Sequence, residues 1–197
     1  MNILLTGVTG FIGQRLLKYL ATQEYSIHTL SRSHTKDYKN TYCDFLKETI
    51  PEDVFSKNSI ETVIHLAGFA HDTRDQNKIE NLYNRLNVSV SVELASLAVQ
   101  SGVKRFVFVS SVKAGGTHLY GISANEKIQR NTEDIYGKTK RKAELRLLKI
   151  GQLSGMHVSI IRPSLVYGPD VKGNLKQMLL GIEKGWFPPL PETGNRR

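Results

Sequence analysis

Short apolar runs alternate along the chain with longer stretches in which apolar residues recur every three or four positions. The short runs are typical of buried strands, and the longer stretches are typical of helices with one buried face. The runs predict a weak strand near Thr41–Cys43 and five clearer ones, at Asn2–Thr6, Ser26–Leu30, Thr62–Leu66, Arg105–Ser110 and His157–Arg162. Because the two patterns alternate, we predict an α/β protein: a doubly wound parallel sheet with helices on both faces.

The clearest helical pattern covers about Asn77–Ser101. Its apolar residues form a single stripe, at Ile79, Leu82, Leu86, Val90, Leu94 and Leu97. Residues three and four positions apart lie on the same side of a helix, so this spacing predicts one helix with one buried face. Gly102 follows the pattern and is expected to end the helix.

Composition argues against several classes of protein. No apolar run approaches the roughly 20 residues that a membrane-spanning helix needs, so no membrane partner is predicted. The N-terminus carries no signal-like segment, and the protein is therefore expected to be cytoplasmic. Cys43 is the only cysteine, which excludes an internal disulfide, and the six histidines lack the spacing of metal ligands. No metal is predicted.

The formal net charge of +9 raises the question of a nucleic-acid partner. The basic residues are scattered, however, apart from a cluster at Lys138–Lys142 that suits a solvated helix face. Basic and aromatic residues do not interleave as they do in nucleic-acid-binding surfaces. We therefore expect no nucleic-acid partner, and the positive charge could equally serve a phosphorylated small molecule.

A glycine-rich segment, TGVTGFIG at residues 6–13, follows the first predicted strand and opens a predicted helix. In a dinucleotide-binding turn, Gly7 would permit the tight bend and Gly10 would let the backbone approach a pyrophosphate. Gly13 would let the helix and strand pack closely. The alternative is a bare structural turn, but the position between a strand and a helix favours cofactor binding.

A second motif places Tyr136 and Lys140 one helical turn apart, on the same side of a predicted helix. A nearby ammonium favours the phenolate form of a tyrosine and could bring its pKa toward the range useful for acid–base catalysis. Ser111 follows the strand predicted at Arg105–Ser110, at the edge where open α/β sheets bind ligands. A Ser–Tyr–Lys catalytic group is one interpretation, and ordinary surface residues are the other.

Five segments resemble the successive landmarks of the extended short-chain dehydrogenase/reductase superfamily: TGVTGFIG, VIHLAG, RFVFVSS, YGKTK and IIRPSLVYGP. The chain is most similar to the NAD-dependent epimerase/dehydratase family, in its UDP-glucose 4-epimerase-like nucleotide-sugar branch. Within that branch, SSVKAGG and VYGPDVKGN resemble segments of surface-polysaccharide enzymes. The resemblance implies a Rossmann fold, with a dinucleotide-binding domain at residues 1–170 and the start of an incomplete substrate-binding lobe at residues 171–197.

The resemblance also implies site residues. Ser111, Tyr136 and Lys140 align with the catalytic hydroxyl, the acid–base group and the lysine that also holds the nicotinamide ribose. The cofactor is expected to contact fourteen residues, with Asp44 near the adenine and Pro163 against the nicotinamide: Gly7, Gly10, Phe11, Ile12, Gly13, Ser31, Arg32, Asp44, Ala67, Gly68, Asn87, Tyr136, Lys140 and Pro163. The UDP-sugar substrate is expected to contact Lys113, Asn174 and Arg197.

The sequence departs from the family pattern at three places, two of which are residue pairs. Ser31 and Arg32 stand where NAD-preferring relatives carry an acidic residue, so NADP is slightly favoured over NAD as the cofactor. Val112 and Lys113 replace the Asp-Glu pair of the 4,6-dehydratases, and dehydration is therefore not expected. Leu165 stands where many members carry an asparagine near the substrate.

The implied function is a nucleotide-sugar epimerase that acts at sugar C4 through a 4-keto intermediate. A UDP-4-ketosugar reductase, which performs only the return of hydride, stays open as an alternative. A truncated, catalytically silent NAD(P)-binding protein is the other, because the resemblance implies a further C-terminal portion. The sequence does not decide the sugar or the oligomeric state, and a homodimer stays open.

Overall fold

A computed structural model describes residues 1–33, 38–70, 76–116, 125–126, 129–171 and 173–186. Six parallel strands form one sheet in the order β3-β2-β1-β4-β5-β6. The strands are β1 Asn2–Thr6, β2 Ser26–Ser31, β3 Lys39–Tyr42, β4 Thr62–His65, β5 Arg105–Val109 and β6 His157–Ile161. This doubly wound Rossmann arrangement confirms the predicted fold class, and each of the five clearer predicted strands is present with ends that differ by at most one residue.

Six α-helices connect these strands or follow them within the described residues. They are α1 Phe11–Ala21, α2 Asp53–Ser56, α3 Gln76–Tyr83, α4 Val90–Gln100, α5 Ile135–Ser154 and α6 Asn174–Glu183. A 3₁₀ turn at Val112–Gly115 follows β5. Gly102 adopts a φ of +73° just after α4, where the predicted helix was expected to end.

Alternate residues of each central strand pack on opposite faces of the sheet. In β1, Ile3 and Leu5 pack with Leu17 of α1 on one face, whereas Leu4 packs with Leu94 of α4 on the other. Successive side chains of a strand point to opposite faces, so a run of apolar residues supplies both cores. This explains why the strands appear in the sequence as continuous apolar runs.

The single helix predicted at Asn77–Ser101 is corrected by the structure. A π-helical turn at Asn84–Ser89 separates α3 from α4. Asn87 is fully buried in this turn, and its side chain binds the backbone of Phe69 in the segment after β4. A one-residue widening of a helix leaves little trace in apolar spacing, and such π turns occur often at functional sites.

The chain divides into two compact units, Met1–Ser164 and Leu165–Arg197. The first contains the whole sheet, and the described residues of the second include α6. The domain boundary predicted between residues 170 and 171 stays a prediction, as does the role of residues 171–197 as part of a substrate lobe. No helix among the described residues is long and apolar enough to cross a membrane.

Candidate functional site

The carboxyl edge of the sheet carries most of the predicted site residues. The strand order reverses between β1 and β4, and in open parallel sheets ligands bind at the carboxyl edge beside such a point. At least one predicted residue ends or follows each strand: Gly7 after β1, Ser31 and Arg32 at β2, Asp44 after β3, Ala67 and Gly68 after β4, Ser111 after β5, and Pro163 after β6. The fold therefore gathers these residues along one edge.

The three glycines of the turn between β1 and α1 meet different steric demands. Gly7 has a φ of +73°, and a Cβ there would lie 2.5 Å from the backbone nitrogen of Ala67. A Cβ on Gly13 would collide with the carbonyl oxygen of Gly7. Gly10 is different: its φ of −76° suits any residue, and its added Cβ would lie 3.2 Å from the same oxygen. Gly7 and Gly13 are thus needed for packing, and Gly10 leaves open the approach to the turn.

The N-terminus of α1 offers backbone amides to an anion. Gly10 is the N-cap residue, no side chain caps the helix, and the first turn from Phe11 contains no acidic residue. The first amides of a helix lack partners within the helix and carry its partial positive charge, which suits a phosphate group. A turn with glycine at residues 7 and 10, leading into a helix without a side-chain cap, fits a dinucleotide pyrophosphate.

A buried chain of hydrogen bonds connects this turn to the helix behind the sheet. The Ala67 amide donates to Thr6 Oγ1 at 3.2 Å, and Thr6 Oγ1 lies 2.7 Å from His65 Nδ1. On the other side of the ring, His65 Nε2 lies 2.9 Å from Ser91 Oγ, which donates to the Asn87 carbonyl. Because the Ser91 hydroxyl donates its proton to that carbonyl, its oxygen accepts from His65 Nε2–H. His65 Nδ1 then carries no proton and accepts from the Thr6 hydroxyl.

His65 must stay neutral in this chain of bonds. Burial, with a smaller contribution from the Lys140 charge, lowers its pKa from 6.5 to about 3. A second proton on the ring would take the Nδ1 acceptor away from the Thr6 hydroxyl and place a charge in an interior that water does not reach. The network therefore holds one histidine tautomer and one orientation of the segment that carries Ala67.

The Asn87 side chain joins three parts of the site. Its Oδ1 accepts from the Phe69 amide at 2.7 Å, and its Nδ2 donates to the Phe69 carbonyl at 3.0 Å and to Thr139 Oγ1 at 3.1 Å. A Cβ on Gly68 would lie 3.0 Å from Asn87 Oδ1, so the segment after β4 packs closely on this amide. Asn87 thus supports Gly68 and links it to α5, which carries Tyr136.

Tyr136 lies near the start of α5, half-buried and hydrogen-bonded to Ser111. Burial raises the pKa of its phenol, the hydrogen bond with Ser111 acts in the opposite direction, and the nearby Asp134 and Tyr83 raise it further. Ser111 and Tyr136 are thus in contact, and their catalytic role stays a prediction. The predicted effect of Lys140 on the phenol stays a prediction, since Lys140 is not among these causes.

Lys140 is buried one turn further along α5. Its Nζ donates to the Val109 carbonyl at 2.9 Å and lies 4.6 Å from the centre of the Phe108 ring. Burial lowers the pKa of this ammonium from 10.5 to about 8, while Glu144 acts to raise it. A Cβ on Gly68 would lie 3.2 Å from Nζ, so the amine lies against the segment predicted to line the cofactor.

A buried ion pair that the sequence analysis did not identify connects α5 to the residue that follows β6. Arg162 donates to Glu144 through Nε at 2.9 Å and through Nη2 at 2.5 Å, and Arg141 lies 3.5 Å from the same carboxylate. Glu144 is only 1% exposed. The pair fixes α5 against the end of β6, directly before Pro163.

Asp134 is a second residue that the sequence analysis missed. It is the N-cap of α5: its Oδ1 accepts from the Gly137 amide at 2.6 Å, and its Oδ2 lies 2.6 Å from Lys113 Nζ. An aspartate directly before a helical pattern is a known start signal, so the cap could have been found from sequence. Its ion pair with Lys113 could not have been found from sequence, because the two residues lie far apart in the chain.

On the adenine side of the expected site, Ser31 and Arg32 differ in exposure. The Ser31 hydroxyl is buried and lies within hydrogen-bonding distance of the Ser33 carbonyl and of Asn40 Oδ1, whereas Arg32 is exposed. Asp44 Oδ1 accepts from the Leu46 amide at 3.1 Å. Of Ser31 and Arg32, the arginine is therefore the more accessible to a cofactor.

Two of the predicted substrate contacts belong to the second compact unit. Asn174 begins α6, and Arg197 lies outside the described residues. Pro163 belongs to the first unit, and its carbonyl accepts from the Val112 amide at 3.1 Å. Among the described residues, no cluster of three or more metal-ligating side chains is present.

The chain belongs to the NAD dependent epimerase/dehydratase family, whose sequence profile matches residues 3–195. The resemblance found from the motifs is thereby confirmed. A UDP-glucose 4-epimerase from Vibrio cholerae is 36% identical over 196 residues, which cover 96% of this chain and 58% of that protein. An N-acetyl-alpha-D-glucosaminyl-diphospho-ditrans,octacis-undecaprenol 4-epimerase from Escherichia coli O157:H7 is 29% identical, covering 94% and 55%.

Among solved structures, MoeE5 in complex with UDP-glucose and NAD is similar in fold. It superposes with a TM-score of 0.79 at 26% sequence identity, over 94% of this chain and 62% of that one. The chain thus spans a little over half the length of the curated relatives described above.

Proposed function

We propose that this chain is a nucleotide-sugar epimerase that uses a bound nicotinamide dinucleotide and acts at C4 of a UDP-sugar through a 4-keto intermediate. The observation that carries the proposal is the Ser111–Tyr136 hydrogen bond, which lies on the same sheet edge as the glycine turn and the buried Lys140. The similarity to the Vibrio cholerae UDP-glucose 4-epimerase supports the substrate class.

The residues of the first compact unit fit a dinucleotide. Gly10 and the first amides of α1, from Phe11 and Ile12, would receive the pyrophosphate. Ala67 and Gly68, held by the Asn87 side chain, would line the middle of the cofactor. Lys140 would bind the nicotinamide ribose, and Pro163 would lie against the nicotinamide.

In the proposed chemistry, Ser111 orients the C4 hydroxyl of the sugar and Tyr136 takes its proton. The cofactor would accept and return the hydride that the sugar carbon exchanges. Lys140 would lower the pKa of Tyr136 toward the working range by its charge. In an epimerase Tyr136 gives the proton back after the sugar has turned its other face, whereas a UDP-4-ketosugar reductase uses only this return step.

The cofactor preference would lean to NADP. The exposed Arg32 after β2 supports the preference, because a guanidinium pairs well with a 2′-phosphate. A second candidate function is dinucleotide binding without turnover. It rests on the glycine turn and the uncapped N-terminus of α1, which fit a dinucleotide whether or not the Ser111–Tyr136 pair turns over a substrate.

The proposed function is tested by measuring NAD binding and UDP-glucose-dependent cofactor reduction on the same samples. Tyr136→Phe is expected to reduce hydride transfer by about a hundredfold or more, while dinucleotide affinity stays nearly unchanged. Tyr19→Phe, on the exposed side of α1, is the matched control and should retain both.

Equal rates in the wild type and Tyr136→Phe would remove Tyr136 from the mechanism. Dinucleotide binding by the wild type without any turnover would instead establish the second candidate function. Absence of dinucleotide binding would contradict both.

A further inference from the structure

We propose that Lys113 is a positioning residue, which acts through Asp134 to hold the Ser111 turn against the start of the Tyr136 helix. Its significance for catalysis rests on the proposed function, which gives Tyr136 its role as acid–base group. This role differs from the substrate contact that the family resemblance implies for Lys113, and the two roles give opposite results in the experiment below.

One carboxylate connects the two elements that carry the Ser–Tyr pair. Asp134 lies two residues before Tyr136, and its Oδ1 accepts from the Gly137 amide at 2.6 Å as the N-cap of α5. Its other oxygen lies 2.6 Å from Lys113 Nζ, in the turn that Ser111 begins. With both oxygens engaged, Asp134 ties the turn after β5 to the first turn of α5.

The turn itself is short and closely packed, so a change at Lys113 reaches Ser111. The Lys113 amide donates to Ser111 Oγ at 3.3 Å, which makes the serine the N-cap of the 3₁₀ turn. The Lys113 carbonyl lies so close to α5 that a Cβ on Gly137 would be 2.7 Å from its oxygen. The Val112 amide is bound to the Pro163 carbonyl, so the turn is also attached to the segment after β6.

The groups around Tyr136 determine in which direction its pKa changes when Lys113 is replaced. Besides burial, Asp134 and Tyr83 raise the pKa of the phenol, whereas the hydrogen bond with Ser111 lowers it. Lys140 points its ammonium at the Val109 carbonyl. Without Lys113, the carboxylate of Asp134 loses the cation that compensates it, and the Ser111 turn loses its attachment to α5. Both effects raise the pKa of Tyr136.

The contacts of Asp134 also bear on its own charge state. Burial acts to raise the pKa of this carboxyl, but the hydrogen bonds from Lys113 and the Gly137 amide outweigh it, with Lys138 contributing, and the pKa lies below its usual value. Asp134 therefore stays ionised at neutral pH. A UDP-sugar contact would have to draw the Lys113 ammonium away from this partner.

The experiment titrates Tyr136 in the full chain without cofactor or substrate. The protein is labelled at the tyrosine ring carbon bonded to oxygen, and the Tyr136 resonance is assigned by its loss in Tyr136→Phe. Lys113→Met is expected to move the titration midpoint of Tyr136 upward by about half a pH unit at low salt. Lys113→Arg should restore the wild-type midpoint, because a guanidinium can bind the same carboxylate.

Lys138→Met is the matched control, because it removes the same charge from the first turn of α5 without breaking the bond to Asp134 Oδ2. It should move the midpoint clearly less than Lys113→Met. High salt should narrow the difference between Lys113→Met and the wild type, since the ion pair is partly exposed.

An unchanged midpoint in Lys113→Met overturns the proposal, as does an equal rise in Lys113→Met and Lys138→Met. Weaker UDP-glucose binding in Lys113→Met with an unchanged midpoint assigns Lys113 to the substrate instead. Failure of the proposed function is seen separately, as a loss of NAD binding in the wild type. Circular dichroism at each pH confirms that the compared samples are folded.

Discussion

At the scale of a single residue, a substitution of Gly10 should weaken ligand binding more than it weakens the fold. Its backbone conformation is open to all residues, and its added Cβ meets only the Gly7 carbonyl oxygen, at 3.2 Å. Gly10→Val is therefore expected to lower the melting temperature less than Gly13→Ala does, while calorimetry shows NAD affinity reduced by about tenfold or more. Thr9→Val, next to it and exposed, adds no volume and is the control.

Gly13 should behave in the opposite way to Gly10. A Cβ at Gly13 collides with the Gly7 carbonyl, so Gly13→Ala should lower the melting temperature before any ligand is added. Equal NAD affinity in the wild type and Gly10→Val would show that the pyrophosphate lies elsewhere.

Arg32 tests the cofactor preference, also at the scale of one residue. Its exposed guanidinium follows β2, where a 2′-phosphate is expected. We expect NADP to bind more tightly than NAD, and Arg32→Ala to reduce that advantage by about two- to fivefold at low ionic strength and less at high. Lys104→Ala, exposed at the residue before β5, is the charge-matched control. Equal affinities for NAD and NADP in the wild type would refute the preference.

At the scale of elements, the sequence was informative wherever local patterns decide the structure. The strands follow from apolar runs buried on both faces, and the glycine turn and the Tyr136–Lys140 spacing are local patterns too. The π-helical turn, the Glu144–Arg162 pair and the His65 network could not be predicted in the same way. They depend on side chains that meet only after distant elements pack.

His65 of β4 contacts Thr6 of β1 and Ser91 of α4, and its protonation should therefore affect all three elements. Its pKa lies near 3 in the folded state against 6.5 ordinarily, because burial disfavours the charged ring. Below pH 6.5 the unfolded chain takes up a proton that the folded chain does not, so stability falls as the pH falls through this window. Between pH 7 and pH 5 the loss should be about 2 kcal/mol.

Urea unfolding of the wild type and His65→Gln at pH 7 and pH 5 measures this effect. The variant should be less stable at pH 7, since it loses part of the hydrogen-bond network, but it should lose less stability on acidification. His157→Gln, exposed at the start of β6, is the control and should follow the wild type. Equal acid sensitivity of the wild type and His65→Gln would show that His65 does not carry the pH dependence.

At the scale of the whole molecule, the net charge of +9 and the glycine turn make different demands on a partner. A spread positive charge attracts any polyanion through forces that salt screens, whereas the turn offers backbone amides and a close steric fit at short range. Duplex DNA should therefore bind at about 20 mM salt and lose most of its affinity at about 200 mM, by the counterion-release relation. Dinucleotide affinity should fall far less over the same range.

The two affinities are compared on one preparation at both salt concentrations. Fluorescence anisotropy of a labelled duplex measures DNA binding, and calorimetry measures NAD binding. DNA binding that persists at the higher salt, with dinucleotide binding absent, would assign the positive charge to nucleic acid and contradict the site derived from the sheet edge.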